Sequence, residues 1–523
     1  MPRGSTRPTY IDLFAGCGGA SVGFHEAGFD CLLAVDWDQK AVDCYNENFP
    51  RRRGRTAAVR ADLSKLSTRE LVRDFLEENG VHEGCCDVIV GGPPCQSFSN
   101  VGQTKVKALT RTDERLRAEW DKTAQSRIML YQVFALFVEV LAPRWILFEN
   151  VPTIRSHDIY PKLVERFNGL ETAEGAPLEY VFARENYWAS DYGVPQRRRR
   201  FLMVGYRKDL GISTWQRPDK NPGPNVGDAI DDLPTVPAGF QNAVTAYDSP
   251  LSDYQTLMRA HVPETEANIV TSHICRSHNP DDIELFRRMR QGARFSDEAV
   301  QEAIHAVNPE HKLKKYSSEK FQDKLHKLDP KKPAWTVTAH LQKDCYKFIH
   351  YRDARTITVR EAARLQSFPD HFKLPTVMGV GFRVVGNAIP PLLAQAFARS
   401  FCKSDSQIGS IDGRARALIP DAVWNRLSAL AAEEFPAQRR GPKAVPVRVV
   451  FAAAVLSWHK GWKYADVAEY FGYSKTTIEK KLRQVFSSGL WDYAERLLAE
   501  TRPVYTQAEL ELPIEHPHDV AAD

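Results

Sequence analysis

No two of the nine cysteines in this 523-residue chain stand in a Cys-x-x-Cys spacing, so the sequence offers neither a zinc site nor a disulfide framework. Free thiols in that number suit a reducing compartment. Long apolar runs are missing as well. The longest, residues 128–141, is interrupted by Gln132 and Glu139 and falls short of the roughly 20 residues of a membrane span. The N-terminal stretch Met1-Pro2-Arg3-Gly4-Ser5-Thr6-Arg7-Pro8 lacks the apolar core of a secretory leader. The expectation is a cytoplasmic chain with no membrane partner and no metal. Charge of one sign is scarce in net terms, since 70 Lys and Arg against 66 Asp and Glu leave +4. That balance does not draw a polyanion to the whole surface, although local basic segments still can. With 43% hydrophobic and 26% charged residues the chain is globular, and its length calls for two or three domains.

What is present is concentrated in a few segments. The run Val88-Ile89-Val90 reads as a buried strand that Gly91-Gly92-Pro93-Pro94 ends abruptly, leaving Cys95 on a rigid turn at the strand tip, followed by Gln96 and Ser97. A lone cysteine usually fills space, but a thiol held at a strand tip is placed to attack. A second apolar run, Trp145-Ile146-Leu147-Phe148, ends in Glu149-Asn150. In a parallel sheet these two strand ends share an edge, where a half-shielded carboxylic acid has a raised pKa and can donate a proton. Taken alone, Glu149 reads equally well as a helix cap or an ion-pair partner. A third segment, Gln196-Arg197-Arg198-Arg199-Arg200, lies between a Gly/Pro turn and the apolar run Phe201-Leu202-Met203-Val204, so part of it faces the sheet edge.

Near the N-terminus, Tyr10-Ile11-Asp12-Leu13 reads as a strand, Phe14-Ala15-Gly16-Cys17-Gly18-Gly19 as a glycine-rich turn, and a helix follows. The next strand ends at Asp36, twenty residues after Gly16, the distance at which an acid meets ribose hydroxyls in nucleotide folds. Trp37 beside it can cover an adenine ring. The phosphate-binding spacing Gly-x-Gly-x-x-Gly is absent, which favours a nucleoside without phosphates.

In this order, together with Arg355-Thr356-Ile357-Thr358-Val359-Arg360-Glu361-Ala362-Ala363-Arg364-Leu365-Gln366 and Gly386-Asn387-Ala388-Ile389-Pro390-Pro391, the segments resemble the DNA (cytosine-5) methyltransferase family from Thr9 to about Phe397. The resemblance implies an α/β, Rossmann-like core that uses S-adenosyl-L-methionine, a smaller target recognition domain, and double-stranded DNA as partner. It implies Cys95 as the nucleophile on C6 of a flipped-out cytosine and Glu149 as the acid at N3. Arg198 and Arg200 hold the base or orient neighbours, and Ser97 and Gln196 lie on the DNA. Phe14, Gly16, Gly18, Gly19, Asp36, Trp37, Asp62, Leu63, Pro94, Asn387 and Ala388 surround the cofactor. Asp36 stands where the family often has Glu, and Ala388 where Ser is common. Restriction-modification or phage defence would use these residues, with cognate restriction or defence proteins as partners of a monomeric, bacterial enzyme. A tRNA cytosine methyltransferase, or a catalytically inactive DNA-binding regulator, would carry the same motifs.

Organisation follows: a catalytic core over 9–215, a target recognition domain over 216–350 beginning at the Pro/Gly-rich stretch 217–227, a return segment over 351–403, a helical extension over 411–500 and a disordered tail over 501–523. Helices are expected at 39–48, 68–78, 126–141 and 359–366, a mobile loop at 100–125, a strand at 335–340 and a linker at 404–410. In the all-α extension, two short helices flank a turn at Gly472. The second, capped by Ser474, presents Lys475, Thr476 and Thr477 to a major groove in a helix-turn-helix arrangement. This region resembles the helical N-terminal part of insertion-sequence transposases. A helical appendage that only packs is the alternative reading.

Overall fold

The computed structural model describes residues 7–49, 57–82, 85–94, 130–172, 175–210, 212, 214–241, 247, 252–319, 324–408 and, beyond them, 450–451, 453–454, 463, 467 and 475–487. Seven strands form one sheet: β1 Thr9–Leu13, β2 Asp30–Asp36, β3 Ala58–Arg60, β4 Val88–Gly91, β5 Trp145–Asn150, β6 Tyr180–Trp188 and β7 Arg199–Arg207, in the order β3-β2-β1-β4-β5-β7-β6. β3, β2, β1, β4 and β5 pair in parallel, and β7 runs antiparallel to β5 with Glu149 opposite Leu202. Strands in a parallel sheet are covered on both faces, and for that reason Val88, Ile89, Val90, Ile146, Leu147 and Phe148 form uninterrupted apolar runs. The chain reverses direction of winding between β1 and β4, so the crevice at the C-terminal ends of those strands is the place for a ligand.

Helices α1 Gly19–Glu26, α2 Gln39–Asn48, α3 Arg69–Glu78, α4 Leu130–Leu141 and α5 Ile159–Asn168 cover the sheet. α2 begins at Asp38, whose side chain accepts from the Lys40 amide, and α3 at Thr68, which accepts from the Leu71 amide. α4 lies within 128–141, and its one buried charge, Glu139, is held by Arg166 at 2.6 Å and Arg69 at 2.9 Å. Pairing of this kind lets a carboxylate sit in an otherwise apolar helix.

Residues 226–388 contribute to a core shared with the glycine turn and α2: Cys17, Val22, Ala41 and Cys44 pack with Val337, Phe368, Val385 and Ala388. A separate cluster of Leu285, Phe286, Phe295, Ile304, Leu325 and Ile349 holds the segment between. The return helix Val359–Leu365 starts in a capping box between Thr358 and Glu361 and is buried along its whole length. By chain contacts, Met1–Tyr206 with Arg217–Arg399 make one compact unit and Arg207–Gln216 with Ser400–Asp523 another.

Two local expectations fail. Residues 335–340 are not a strand: the only bridge there joins Gln196 to Ala334, and Ala339–Gln342 is a 3-10 turn. The Val337 amide is taken by the Gln196 side chain at 2.9 Å, which removes it from any ladder. The linker expected from residue 404 instead continues the helix Pro391–Ile408, where the Ser404 hydroxyl donates to the Ser400 carbonyl at 2.8 Å and accepts from the Gln216 amide at 3.0 Å. Ser404, read as the start of a linker, is here bonded to the backbone.

Candidate active site

Three strand ends meet at one edge. β1 runs into the glycine turn, where Phe14, Gly16 and Gly18 adopt left-handed φ angles of 61°, 58° and 95°. Such a φ is costly for a phenylalanine, on the order of 1–3 kcal/mol, and persists where surrounding structure enforces it. At Gly16 an added Cβ would meet nothing within 4 Å, so the turn borders open space. α1 then starts from Gly18 with no side-chain cap, leaving amides at its N-terminus directed at the same region.

β2 supplies Asp36. Its Oδ2 accepts from the Gly16 amide at 2.8 Å and its Oδ1 from the Asp38 amide at 2.9 Å. Burial raises its pKa above the usual carboxylate value. Trp37 beside it is 59% exposed, an unusual position for an indole. Asp62 caps the turn after β3 by accepting from the Ser64 amide at 3.1 Å, and Leu63 is buried behind it. β3 pairs with β2 so that Arg60 lies opposite Asp36, which brings Asp62 alongside. The return segment closes the other side: a Cβ on Gly19 would stand 2.3 Å from the Ile389 carbonyl and 2.9 Å from the Ala388 Cβ, so only glycine permits that approach. Ala388 is buried and Asn387 exposed. All the expected cofactor residues from Phe14 to Leu63, with Asn387 and Ala388, thus lie around the ends of β1, β2 and β3.

Pro94 continues β4, and the Pro93 carbonyl accepts from the Asn150 amide group at 3.3 Å, tying the end of β4 to the end of β5. A Cβ on Gly92 would lie 2.8 Å from Glu149 Oε2. Glu149 and Gly92 are therefore neighbours on adjacent strand ends. Cys95 and Ser97, and the loop expected at 100–125, lie outside the described residues. Arg200 comes in from β7 and its Nε meets Glu149 Oε1 at 2.8 Å, with both side chains mostly buried.

Two expected site residues face elsewhere. Gln196 is fully buried; its amide donates to the Leu365 carbonyl at 2.7 Å and to Gln366. Arg198 is buried too, donating to the carbonyls of Val337 at 2.7 Å, Ala388 at 3.1 Å and Gly386 at 3.3 Å. Both tie the stretch that enters β7 to the return segment, and Arg198 also ties it to Val337. Both precede β7 in a stretch where buried and exposed residues alternate, Arg197 and Arg199 being the exposed ones. Lys475 and Thr476 are exposed and Thr477 half-buried at the start of the helix Lys475–Ser487, whose Ile478, Leu482 and Val485 are buried along one face. Ser474 and the expected preceding turn lie outside the described residues.

The sequence reading passed over Asp12. It is 1% exposed, and its Oδ2 accepts from the Ser21 hydroxyl at 2.6 Å, which in turn accepts from the Tyr45 hydroxyl at 2.7 Å. Burial pushes its pKa up to about 7, with the Asp36 charge adding to the effect. The available signal was an acid inside an apolar strand, Tyr10-Ile11-Asp12-Leu13. Among the described residues no group of His, Cys, Asp and Glu is arranged to hold a metal, and no helix is long and apolar enough to cross a membrane.

Residues 9–403 match the family described as C-5 cytosine-specific DNA methylase. The chain is 31% identical over 450 residues to the type II methyltransferase M.AgeI of Thalassovita gelatinovora, covering 75% of this chain and 98% of that protein. It is also 31% identical over 399 residues to the type II methyltransferase M1.HphI of Haemophilus parahaemolyticus, covering 76% and 87% respectively. Among solved structures, one assigned as a DNA modification methyltransferase encoded within an E. coli prophage is similar at a TM-score of 0.56 and 26% identity, over 76% of this chain and 99% of that one.

Proposed function

The chain belongs to the C-5 cytosine-specific DNA methylase family and is a DNA (cytosine-5-)-methyltransferase; from that premise we propose how its own residues carry the reaction. The observation that carries this reading is the meeting of the Pro94 end of β4, Glu149 at the end of β5 and the glycine turn after β1 on one edge of the sheet. Cytosine reaches such an edge only when swung out of the duplex, because C5 and C6 are covered while the base is stacked.

The thiolate of Cys95, next after Pro94, forms a bond to C6, and the C5–C6 π electrons move towards N3. Glu149 donates a proton at N3 and accepts from the exocyclic amine, which lowers the energy of the adduct. Arg200 orients Glu149 through their ion pair until the base arrives. C5, now electron-rich, takes the methyl; loss of the C5 proton then allows the Cys95–C6 bond to break and the ring to become aromatic again.

The methyl donor is S-adenosyl-L-methionine, which supplies a methyl group activated by its sulfonium charge. The residues present fit it: open space at Gly16, acceptors on Asp36 for the ribose and an exposed indole at Trp37 for the adenine. Asp62, Leu63, Pro94, Asn387 and Ala388 complete the surround. Type II relatives support a role in restriction-modification. The exposed Lys475 and Thr476 on the C-terminal helix add a DNA contact outside the catalytic unit.

Transfer of tritium from labelled S-adenosylmethionine tests the reading. Wild type is expected to label duplex DNA and not tRNA, and Cys95→Ser to label neither. Labelling of tRNA alone would move the substrate to RNA, and tight DNA binding with no labelling would make the protein a regulator.

A further inference from the structure

The basic run that enters β7 has two faces. Gln196 and Arg198 point into the protein, whereas Arg197 and Arg199 are exposed. Both exposed guanidiniums lie over one indole: Arg197 Cζ is 5.6 Å and Arg199 Cζ 5.5 Å from the ring of Trp188, at the end of β6, which is itself 37% exposed. The Arg197 amide donates to the Ala334 carbonyl at 2.8 Å and the Thr336 hydroxyl donates to the Arg197 carbonyl at 2.9 Å, so a second such pair stands beside the first. There Arg294 Cζ is 4.7 Å from the ring of Trp335, whose Nε1 donates to His326 at 3.0 Å. Among the described residues, none of these three arginines forms an ion pair with a carboxylate.

A guanidinium drawn over an indole by cation–π attraction is held in place while N–H groups remain to donate, and its fork matches a phosphate in two parallel hydrogen bonds. Three such groups without acidic partners call for an anionic partner with regularly spaced charges. Position says which one. Arg199 is three residues along β7 from Leu202, the partner of Glu149, a distance of about 10 Å along a strand. That is roughly three steps of rise along one strand of duplex DNA.

We propose that Trp188, Arg197 and Arg199, extended by Trp335 and Arg294, form a ledge that grips the phosphates of the duplex beside the flipped cytosine. The ledge fixes register and orientation and reads no base. The inference rests on the DNA-methylating reading given above.

The test measures DNA affinity against salt concentration, together with methyl-transfer kinetics, on the full chain. Arg197→Ala/Arg199→Ala is expected to make the log–log salt dependence shallower by about two, since each lost phosphate contact removes about 0.9. KM for DNA should rise on the order of tenfold, while kcat and KM for S-adenosylmethionine stay within about twofold. Arg197→Lys/Arg199→Lys keeps the charge and should keep the salt slope. If the double alanine variant does not fold, Arg199→Ala alone should lower the slope by about one. An unchanged slope and unchanged KM for DNA would overturn the proposal and leave the ledge to an acidic protein. A fall in kcat with an unchanged slope would also overturn it, by placing the arginines in the chemistry. A wild type that binds DNA with the full slope and transfers no methyl would refute the catalytic reading alone, because the slope reports the ledge without catalysis.

Discussion

Asp12 carries the least expected chemistry in the chain. A carboxylate 1% exposed, satisfied on one oxygen by Ser21, prefers its proton, and its pKa stands at about 7 against 3.8 in the open. Tyr10, Cys31, Tyr45 and Asp36 surround it, and none is a cation. The folded pKa exceeds the unfolded one, so unfolding releases a proton between about pH 4 and pH 7, and this group's contribution to stability falls as pH rises through that window. Asp12→Asn, which keeps an acceptor for Ser21 and cannot ionise, should be free of that loss. Thermal midpoints measured from pH 4 to pH 8 are expected to diverge in favour of the variant as pH rises. Parallel curves would contradict the assignment. At this scale the sequence was legible wherever a residue type and its strand-end position agreed, as for Asp36, Trp37 and Glu149. At Gln196 and Arg198 a motif gives the order of residues and not which of them is buried. Asp12 escaped notice because burial, which sets its chemistry, is a property of the whole fold.

The return helix Val359–Leu365 shows what an element can hold. Arg355 meets Glu361 at 2.8 and 2.9 Å and Asp353 at 2.7 Å, with all three side chains almost fully buried. Burial alone would raise the Glu361 pKa, but the Arg355 guanidinium reverses this and holds it well below the carboxylate range. Glu361 also closes the capping box by accepting from the Thr358 amide at 2.8 Å. Glu361→Gln removes one of the two carboxylates on Arg355 and leaves Asp353 facing it, so it should cost about 1.5–3 kcal/mol at neutral pH, less than a fully uncompensated buried charge. Because the folded pKa is depressed, the wild-type advantage is present above the unfolded value of 4.5 and fades as pH falls below it. Urea denaturation at pH 7 and at acid pH checks both statements; equal stabilities at pH 7 would contradict them. The helix itself was readable from Thr358-x-x-Glu361 before an apolar run. The partners of Arg355 were not, since Val236, whose carbonyl takes its Nε at 2.9 Å, is 119 residues distant. The failed strand at 335–340 has the same origin: β-branched residues gave the right local propensity, and a distant glutamine side chain took the amide that a ladder needed.

Across the whole molecule, the order of six short segments anticipated a sheet whose ends bring together residues 369 positions apart, Gly19 and Ala388. The parallel part of the sheet followed from apolar runs alternating with helices, while the antiparallel β7 had no local mark in the sequence. The reason is physical: an antiparallel strand inside a covered sheet, as β7 is between β5 and β6, is as apolar as a parallel one. The central claim is that Cys95 attacks C6 of cytosine while Glu149 protonates N3. The direct measurement is covalent trapping on duplexes carrying 5-fluorocytosine, with S-adenosylmethionine present, for wild type, Cys95→Ser and Glu149→Gln. Fluorine at C5 blocks the final elimination, so wild type should remain attached to DNA through denaturation, Cys95→Ser should form no adduct, and Glu149→Gln should form it far more slowly. An adduct that survives in Cys95→Ser, or its absence in a wild type that methylates DNA, would contradict the account.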